Sequence, residues 1–362
     1  MIWRVAIHLF QNHDPKAFTF EINRLEMSIS SSVFTLKEPW IGILNDAANS
    51  KGLVSYEDFS RLALFHPEHG YYASQRYRVG KSEQSDFYTS SSHREVFPRL
   101  VAEAITKLLS EKDFHCENFY ELGAEPDSDL WQEQALPCPS RKILRLGDPL
   151  SVEGPAVVFS NELFDAQPFQ RWLAQDGRWL SILLRIDGDK LSEVIDDDFM
   201  DSSLKGMLSL LPEPPSFDYH LDLSSVATSL LKSLVSKPWK GLFVAFDYGK
   251  SWEQLIHETP QGTARAYSKH TQTPELHFSP GEQDLTTHVC WDFLIQALEE
   301  AGFEDIRLTH QSRFFMERAT ASIQSIVSQP EGLTSKLKSQ LLELISPGFF
   351  GQRFQVLTAF RR

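Results

Sequence analysis

The stretch Val157–Phe169 reads Val-Val-Phe-Ser-Asn-Glu-Leu-Phe-Asp-Ala-Gln-Pro-Phe, and no other segment limits the fold as much. Its first half is a continuous apolar, β-rich run, the pattern of a strand covered on both faces. Its second half turns abruptly to Asn161, Glu162 and Asp165, and Pro168 closes it. A strand buried on both faces belongs to an open α/β sheet, which takes its ligands at the carboxyl ends of the strands. Glu162 and Asp165 are three residues apart, so they share one face if a helical turn follows. Buried together, two carboxylates repel each other and resist ionisation unless a cation lies between them. The plainer alternative stays open: Asp165 caps a helix and Glu162 stays in solvent.

The 362 residues suffice for one large domain or two modest ones, and 41% hydrophobic content with 26 Phe supports a sizeable core. A formal charge of −14 argues against a general nucleic-acid or anionic-membrane surface and favours a cationic partner. Cys116, Cys138 and Cys290 are scattered and odd in number, without a Cys-x-x-Cys pair. That speaks against a disulfide framework or a metal site and suits the cytoplasm. No apolar run reaches the roughly 20 residues of a membrane span. Residues 1–35 read as an extension of unknown role, and Met27 is an alternative start.

Residues 36–112 read as a helical segment with an irregular stretch around Pro67, Gly70, Tyr71 and Tyr72. The polar loop Ser85–Ser91, containing Asp86 and Thr89, precedes a helix beginning near His93; taken alone it is a capping cluster. Phe119–Gly123 is a short strand entering a turn, with Glu125 and Asp127 where a nucleotide-binding turn has further glycines. A helix is expected over Asp127–Leu136, and a strand over Lys142–Leu146 leading to Asp148. The interval from Gly123 to Pro155 has room for only one strand–helix unit of about 30 residues. Alternating residues from Phe169 onward predict an inserted β-rich lobe over about 169–222. A helix over Ser224–Val235 follows, then a second buried strand, Gly241–Phe246, ending in Asp247-Tyr248-Gly249. Further helices are expected over Trp291–Ala301 and Leu333–Leu344, with a closing strand over Phe354–Phe360.

Several of these stretches occur together in one known family. His66-Pro67-x-x-Gly70-Tyr71-Tyr72, Asp86-Phe87-x-Thr89 and Asn161-Glu162-Leu163-Phe164-Asp165-Ala166-x-Pro168 come first. Asp247-Tyr248-Gly249, Gly262-Thr263-x-Arg265-Ala266-Tyr267-x-x-His270, Pro280-Gly281-Glu282-Gln283-Asp284-x-Thr286-x-His288-Val289 and Gly351-Gln352-x-Phe354 follow in the same order. The chain thereby resembles the MidA family of class I S-adenosylmethionine-dependent methyltransferases, whose mitochondrial members methylate an arginine of a respiratory complex I subunit. The resemblance implies a Rossmann-like α/β fold with a seven-stranded, mostly parallel sheet, one antiparallel strand and the inserted lobe, over residues 113–362. It implies S-adenosylmethionine as cofactor and a protein partner offering a basic, arginine side chain.

Carried over by position, Glu121, Gly123, Asp148, Asp86, Thr89 and Asn161 fall on the cofactor side. Glu162, Asp165, Asn161 and His288 fall to the chemistry, and Tyr71, Asp247, Tyr248, Arg265, His270 and Asp284 to substrate binding. The carboxylates would orient a guanidinium, with His288 or His270 accepting its proton. The plain readings stay open beside these roles: His270 as a loop histidine, Asp284 as a helix cap, Arg265 as a core partner of Asp247. The chain departs from the family at Ser85, at Glu125 and Asp127 in the glycine turn, and in a missing second strand–helix unit. The strand ending at Asp148 aligns with the family's third strand, which leaves no acid for the ribose. A binding or assembly protein that keeps the fold and the acidic cleft is therefore the second expectation. A hydrolase would want a Gly-x-Ser-x-Gly elbow, and the chain has none.

Overall fold

The computed structural model describes residues 32–73, 90–124, 129–132, 134–196, 211–268, 271–330 and 335–362. In chain order, Val33–Thr35 (β1), Trp40–Ala47 (α1), Leu53–Ser55 (β2) and Tyr56–Phe65 (α2) come first. Phe97–Glu111 (α3), Asn118–Leu122 (β3), Ser140–Leu144 (β4) and Pro155–Asn161 (β5) begin the central sheet and its first cover. Gln170–Gln175 (β6), Arg178–Asp187 (β7), Lys190–Asp196 (β8) and Tyr219–Leu223 (β9) make the lobe, followed by Ser225–Val235 (α4) and Lys240–Asp247 (β10). Beyond them lie Gly249–Lys250 (β11), Trp252–His257 (α5), Arg265–Ser268 (β12), Thr271–Thr273 (β13), Asp284–Thr286 (β14) and Val289–Cys290 (β15). Trp291–Glu300 (α6), Glu304–His310 (β16), Gln311–Arg318 (α7), Thr320–Val327 (α8), Lys336–Ile345 (α9), Phe350–Arg353 (α10) and Gln355–Arg361 (β17) end the chain.

The central sheet has the order β16-β17-β10-β5-β3-β4. β5 pairs in parallel with β10 and β3, β3 pairs in parallel with β4, and β17 runs antiparallel to β10 and β16. One antiparallel strand in a mostly parallel sheet agrees with the expectation. Among the described residues the sheet has six strands, where seven were expected. β4 pairs with β3 directly, from Asn118↔Ser140 to Leu122↔Leu144, so it lies in the second strand's place and not the third's. One strand–helix unit is what the short interval has room for, and the missing strand is an outer one. The expected helix over Asp127–Leu136 is also absent among the described residues, where 130–132 form a turn. Asp129 accounts for that, its carboxylate accepting the Trp131 N–H at 3.0 Å and gripping Arg141 with both oxygens at 2.5 and 2.6 Å.

Two buried strands fix the middle of this sheet. Val157, Val158 and Phe159 on β5 and Phe243, Val244 and Phe246 on β10 are all fully buried. Alternate residues face opposite layers. Val157, Phe159, Val244 and Phe246 meet α3 and α7 through Phe97, Leu100 and Phe315. Val158 and Phe243 meet α4 and α6 through Leu231, Trp291 and Leu298. The lobe is a second six-stranded sheet, β1-β8-β7-β6-β9 with β2 paired to β7. Its two outlying strands come from residues read as extension and as helix: Val33–Thr35 pairs with β8 and Leu53–Ser55 with β7. Three residues are too few for a period-2 pattern to register. α1 and α2 pack on this sheet, with Leu44, Phe59 and Leu64 against Phe169 and Leu184.

The cysteine expectation is also corrected. Cys116 and Cys138 lie with Cα atoms 5.1 Å apart and form a disulfide, which ties the start of β3 to the approach to β4; Cys290 is free. Among the described residues no helix is long and apolar enough to cross a membrane, and no cluster of three or more His, Cys, Asp or Glu could hold a metal ion.

Candidate active site

A cavity of about 1510 Å³ opens at the carboxyl ends of β3, β4 and β5, bordered by α2 and the segment after it (Arg61, Phe65, Tyr72) and by residues near the C-terminus. Asn161, Glu162 and Asp165 all line it, together with Tyr248, Asp284 and His288. The turn after β5 makes this possible. Glu162 has a left-handed backbone (φ 52°), a conformation costly for any residue with a Cβ, and its N–H donates to Phe246 O at 2.9 Å. The chain thus leaves the sheet sharply, and residues 163–167 form a turn and no helix. The shared helical face expected for Glu162 and Asp165 is therefore absent; both reach the cavity because the turn wraps around its rim. The Asn161 amide donates to Glu162 Oε1 at 2.7 Å, which orients that carboxylate.

Asp247 holds the turn in place from behind. Its Oδ2 accepts the N–H groups of Phe164 (2.9 Å) and Asp165 (3.4 Å), and its Oδ1 accepts that of Tyr248 (2.9 Å). Asp165 does not cap a helix, and Asp247 is fully buried and does not line the cavity. Burial and the neighbouring Asp165 charge push the Asp247 pKa well up. Burial also raises Asp165, to about 6, against the stabilising pull of Tyr248 and nearby backbone N–H groups. The two carboxylates cannot both be charged cheaply, so burial and their mutual repulsion push both pKa values up. Asp165 Oδ1 is buried in the cavity wall without a hydrogen-bond partner.

His288 is placed by a chain of contacts from the lobe. Asp222 Oδ1 accepts Arg171 Nε at 3.0 Å, and its Oδ2 accepts the N–H groups of Thr263 (2.6 Å) and Ala264 (2.8 Å). Gly262 is required for this approach, since a Cβ there would lie 2.2 Å from Asp222 Oδ2. Thr263 Oγ1 then bonds Thr287 Oγ1 at 2.8 Å and accepts the His288 N–H at 3.2 Å. Burial, with Lys250 and Arg265 nearby, drives the His288 pKa down to about 4. Burial therefore favours the neutral form of His288, which lines the same cavity as Asp165.

Other expected residues separate. Tyr71 is fully buried in the lobe core, and its neighbour Tyr72 faces the cavity, donating to Asp284 Oδ1 at 3.1 Å. Asp284 is the first residue of β14 and caps no helix. Arg265 does not pair with Asp247; its NH1 donates to Ala264 O at 2.6 Å and Gly262 O at 3.3 Å, and it lines a smaller cavity of about 430 Å³. Asp86, Thr89 and His270 lie outside the described residues. Tyr72, Tyr267 and Thr286 were missed as cavity residues. The adjacent Tyr71-Tyr72 pair was the available signal for the first, and its facing was undecided without the turn that carries it.

At the opposite end, Gly123 follows β3 with φ 70°, its N–H donating to Leu144 O at 2.9 Å. A Cβ on Gly123 would lie 2.7 Å from Leu163 Cδ1, so the glycine turn and the post-β5 turn are packed together. Glu121, one residue inside the strand end, is 6% exposed, and burial and Asp129 raise its pKa to about 7. The Trp131 indole lies beside this carboxyl and favours its ionised form without closing a hydrogen bond. Asp148 lines the cavity, its Oδ2 accepting the Arg145 N–H at 2.8 Å. In all, five cavity residues carry a buried polar atom with no partner: Glu121, Arg145, Asn161, Asp165 and His288.

An open, mostly parallel α/β sheet with a polar cavity at its strand ends defines the class of fold, in which ligands are taken at the carboxyl ends of the strands. Residues 132–309, just under half of the chain, match the family model described as "Putative S-adenosyl-L-methionine-dependent methyltransferase". That match begins after the glycine turn and contains Asn161–Asp165, Asp247–Gly249 and Asp284–His288. Among solved structures, the chain is similar to a superfamily member from Burkholderia thailandensis, described as a "likely methyl transferase" and bound to S-adenosyl-homocysteine. The TM-score is 0.75 at 18% identity, covering 91% of this chain and 95% of that one. A native structure of a protein from the same superfamily and organism gives 0.72 at 18% identity, with the same coverage. These likenesses show the fold. No curated protein sequence matches the chain.

Proposed function

We propose that the protein is an S-adenosylmethionine-dependent methyltransferase that methylates a guanidine nitrogen of arginine in a protein. The observation carrying this reading is the convergence of unpartnered buried polar atoms on one cavity at the ends of β3, β4 and β5. Buried polar groups are nearly always paired in a folded protein, so such a concentration points to a ligand. The residues fit a nucleoside cofactor: Gly123 turns the chain at the strand end with φ 70°, and Asn161 and Glu121 offer free oxygens in the cavity wall. A cavity of about 1510 Å³ exceeds the roughly 300–1,000 Å³ of a single small-molecule site, which leaves room for an acceptor side chain as well. The family description and the S-adenosyl-homocysteine bound to the similar protein support the same cofactor.

When bound, the cofactor supplies an electrophilic methyl group on a sulfonium. The protein's part is to prepare the nitrogen that attacks it. A free guanidinium keeps its proton at any ordinary pH, so the site must hold the cation and then take a proton from it. Glu162 and Asp165 suit the first task through charge-assisted hydrogen bonds. Asp165 suits the second, because burial raises its pKa to about 6 and its Oδ1 lies in the cavity wall without a partner. As the N–C bond formed and the methyl's bond to sulfur broke, leaving a neutral thioether, the nitrogen's proton would pass to Asp165. Holding the two reactants in line supplies much of the remaining rate.

Calorimetry with S-adenosylmethionine and S-adenosylhomocysteine, followed by methyl transfer to arginine and lysine peptides, tests this reading. Binding with transfer to arginine alone is expected. Absence of binding at millimolar ligand would leave an assembly protein with a methyltransferase fold; transfer to lysine alone would keep the enzyme and remove the acceptor.

A further inference from the structure

In nucleoside-binding α/β sheets an acid at the end of the second strand takes the ribose hydroxyls, and an arginine near that point takes a phosphate instead. Here β4 holds the second strand's place, in register with β3 to Leu122↔Leu144, and Gly123 N–H bonds Leu144 O. The residue delivered to the expected acidic position is therefore Arg145. A carboxylate is present one strand over, on Glu121 of β3. Both groups line the cavity, and each has a buried atom without a partner, Arg145 Nε and Glu121 Oε2.

Neighbouring charges are already committed. Arg141 is held by Asp129 with both carboxylate oxygens, and one oxygen of Asp148 closes the turn onto the Arg145 backbone. Among the described residues no carboxylate forms an ion pair with Arg145. A vicinal diol matches what is left. One hydroxyl donates its proton to a carboxylate oxygen, and the other accepts an N–H from a guanidinium. A phosphate would satisfy Arg145 but would face the Glu121 carboxyl, whereas a diol satisfies both.

We propose that Glu121 and Arg145 together form the ribose clamp of this cavity, with the acid on the first strand and a cation on the second. The inference rests on the reading of the cavity as an S-adenosylmethionine site and adds to it how the sugar is recognised. Burial raises the Glu121 pKa, so a hydroxyl donor that relieves its isolation accounts for a carboxyl kept in this place.

The test crosses ligand and side chain. S-adenosylhomocysteine and its 2′-deoxyribose analogue are titrated calorimetrically against wild type, Glu121→Met and Arg145→Met. Wild type is expected to prefer the intact ribose by about tenfold or more, the worth of one hydrogen bond to a charged group. That preference should collapse to near unity in Glu121→Met. Arg145, partly exposed, can be replaced without disturbing the core, and Arg145→Met should weaken S-adenosylhomocysteine binding by a similar factor. An undiminished ribose preference in both variants overturns the clamp while leaving the cofactor reading standing. Failure of wild type to bind S-adenosylhomocysteine removes that reading and the clamp with it.

Discussion

The two ends of the cavity are built differently. At the acceptor end, the turn after β5 hangs on three backbone N–H groups received by one buried carboxylate, Asp247. His288 likewise hangs on Asp222 through Thr263. At the nucleoside end, β4 is an outer strand with no fully buried residue, Leu146 beyond it is 59% exposed, and Glu121 and Arg145 keep unmatched atoms. Both ends keep unmatched atoms, Asp165 and His288 at the first and Glu121 and Arg145 at the second, but the first is pinned by buried carboxylates and the second rests on an outer strand. Damage at the acceptor end should therefore cost chemistry or fold, and damage at the nucleoside end should cost affinity.

The largest effect is expected from Asp165→Asn. Removing a positioned base lowers methyl transfer by roughly 10²–10⁴-fold, while S-adenosylhomocysteine affinity, read by calorimetry, should hardly move. The wild-type rate should also rise with pH through about 6, as Asp165 loses its proton, and the variant should lack that limb. A full rate in Asp165→Asn would end its role as proton acceptor.

Asp247→Ala tests the template itself. Three N–H groups lose their acceptor, and an unsatisfied buried donor costs about 1–3 kcal/mol. A loss of about 3 kcal/mol or more in urea unfolding is expected. Unchanged stability would mean that water replaces the carboxylate, and the contrast between the two ends would dissolve.

Glu121→Gln probes the nucleoside end through pH. The folded pKa is about 7 against an ordinary value of 4.5, so in the acid range both folded and unfolded forms are protonated and nothing is lost. Between pH 4.5 and 7 the unfolded chain releases its proton first, and the group's contribution to stability falls as pH rises. Glutamine removes that dependence. Relative to wild type, the variant should gain up to about 3 kcal/mol between pH 4 and pH 8, read from urea midpoints. A gap independent of pH would show that Glu121 ionises freely.

Much of this architecture was legible because it is repetitive. The apolar runs of β5 and β10, and the helices at Ser225–Val235 and Trp291–Glu300, were carried by period alone. The polar groups gathered on Asn161–Asp165 after a buried strand located the cavity before its shape was known. What stayed hidden depends on contacts between distant residues. β1 and β2 are too short to show a period and exist because β8 and β7 pair with them. Cys116 and Cys138 are 22 residues apart and meet only because β3 and β4 lie side by side. Glu162 could not be read as left-handed, since such a backbone is written in sequence by glycine and not by glutamate. The pKa shifts of Asp165 and His288 are set by burial, which composition does not encode.

The smallest expected effect concerns Tyr72, whose hydroxyl donates to Asp284 at 3.1 Å on the cavity wall. Asp284 is 4% exposed, and a buried carboxylate is costly unless such donors satisfy it. Tyr72→Phe deletes one hydrogen bond to a charged group and leaves the ring stacked on Phe65, 5.4 Å between centroids. The cost should be about 1.5 kcal/mol, near a tenfold rise in the KM for an arginine peptide, with the fold and S-adenosylhomocysteine affinity untouched. Because the hydroxyl is placed on Asp284 and not on the proposed proton acceptor, kcat should fall little. A change in cofactor affinity instead would show that Tyr72 serves the nucleoside end, and the boundary between the two halves would have to move toward the lobe.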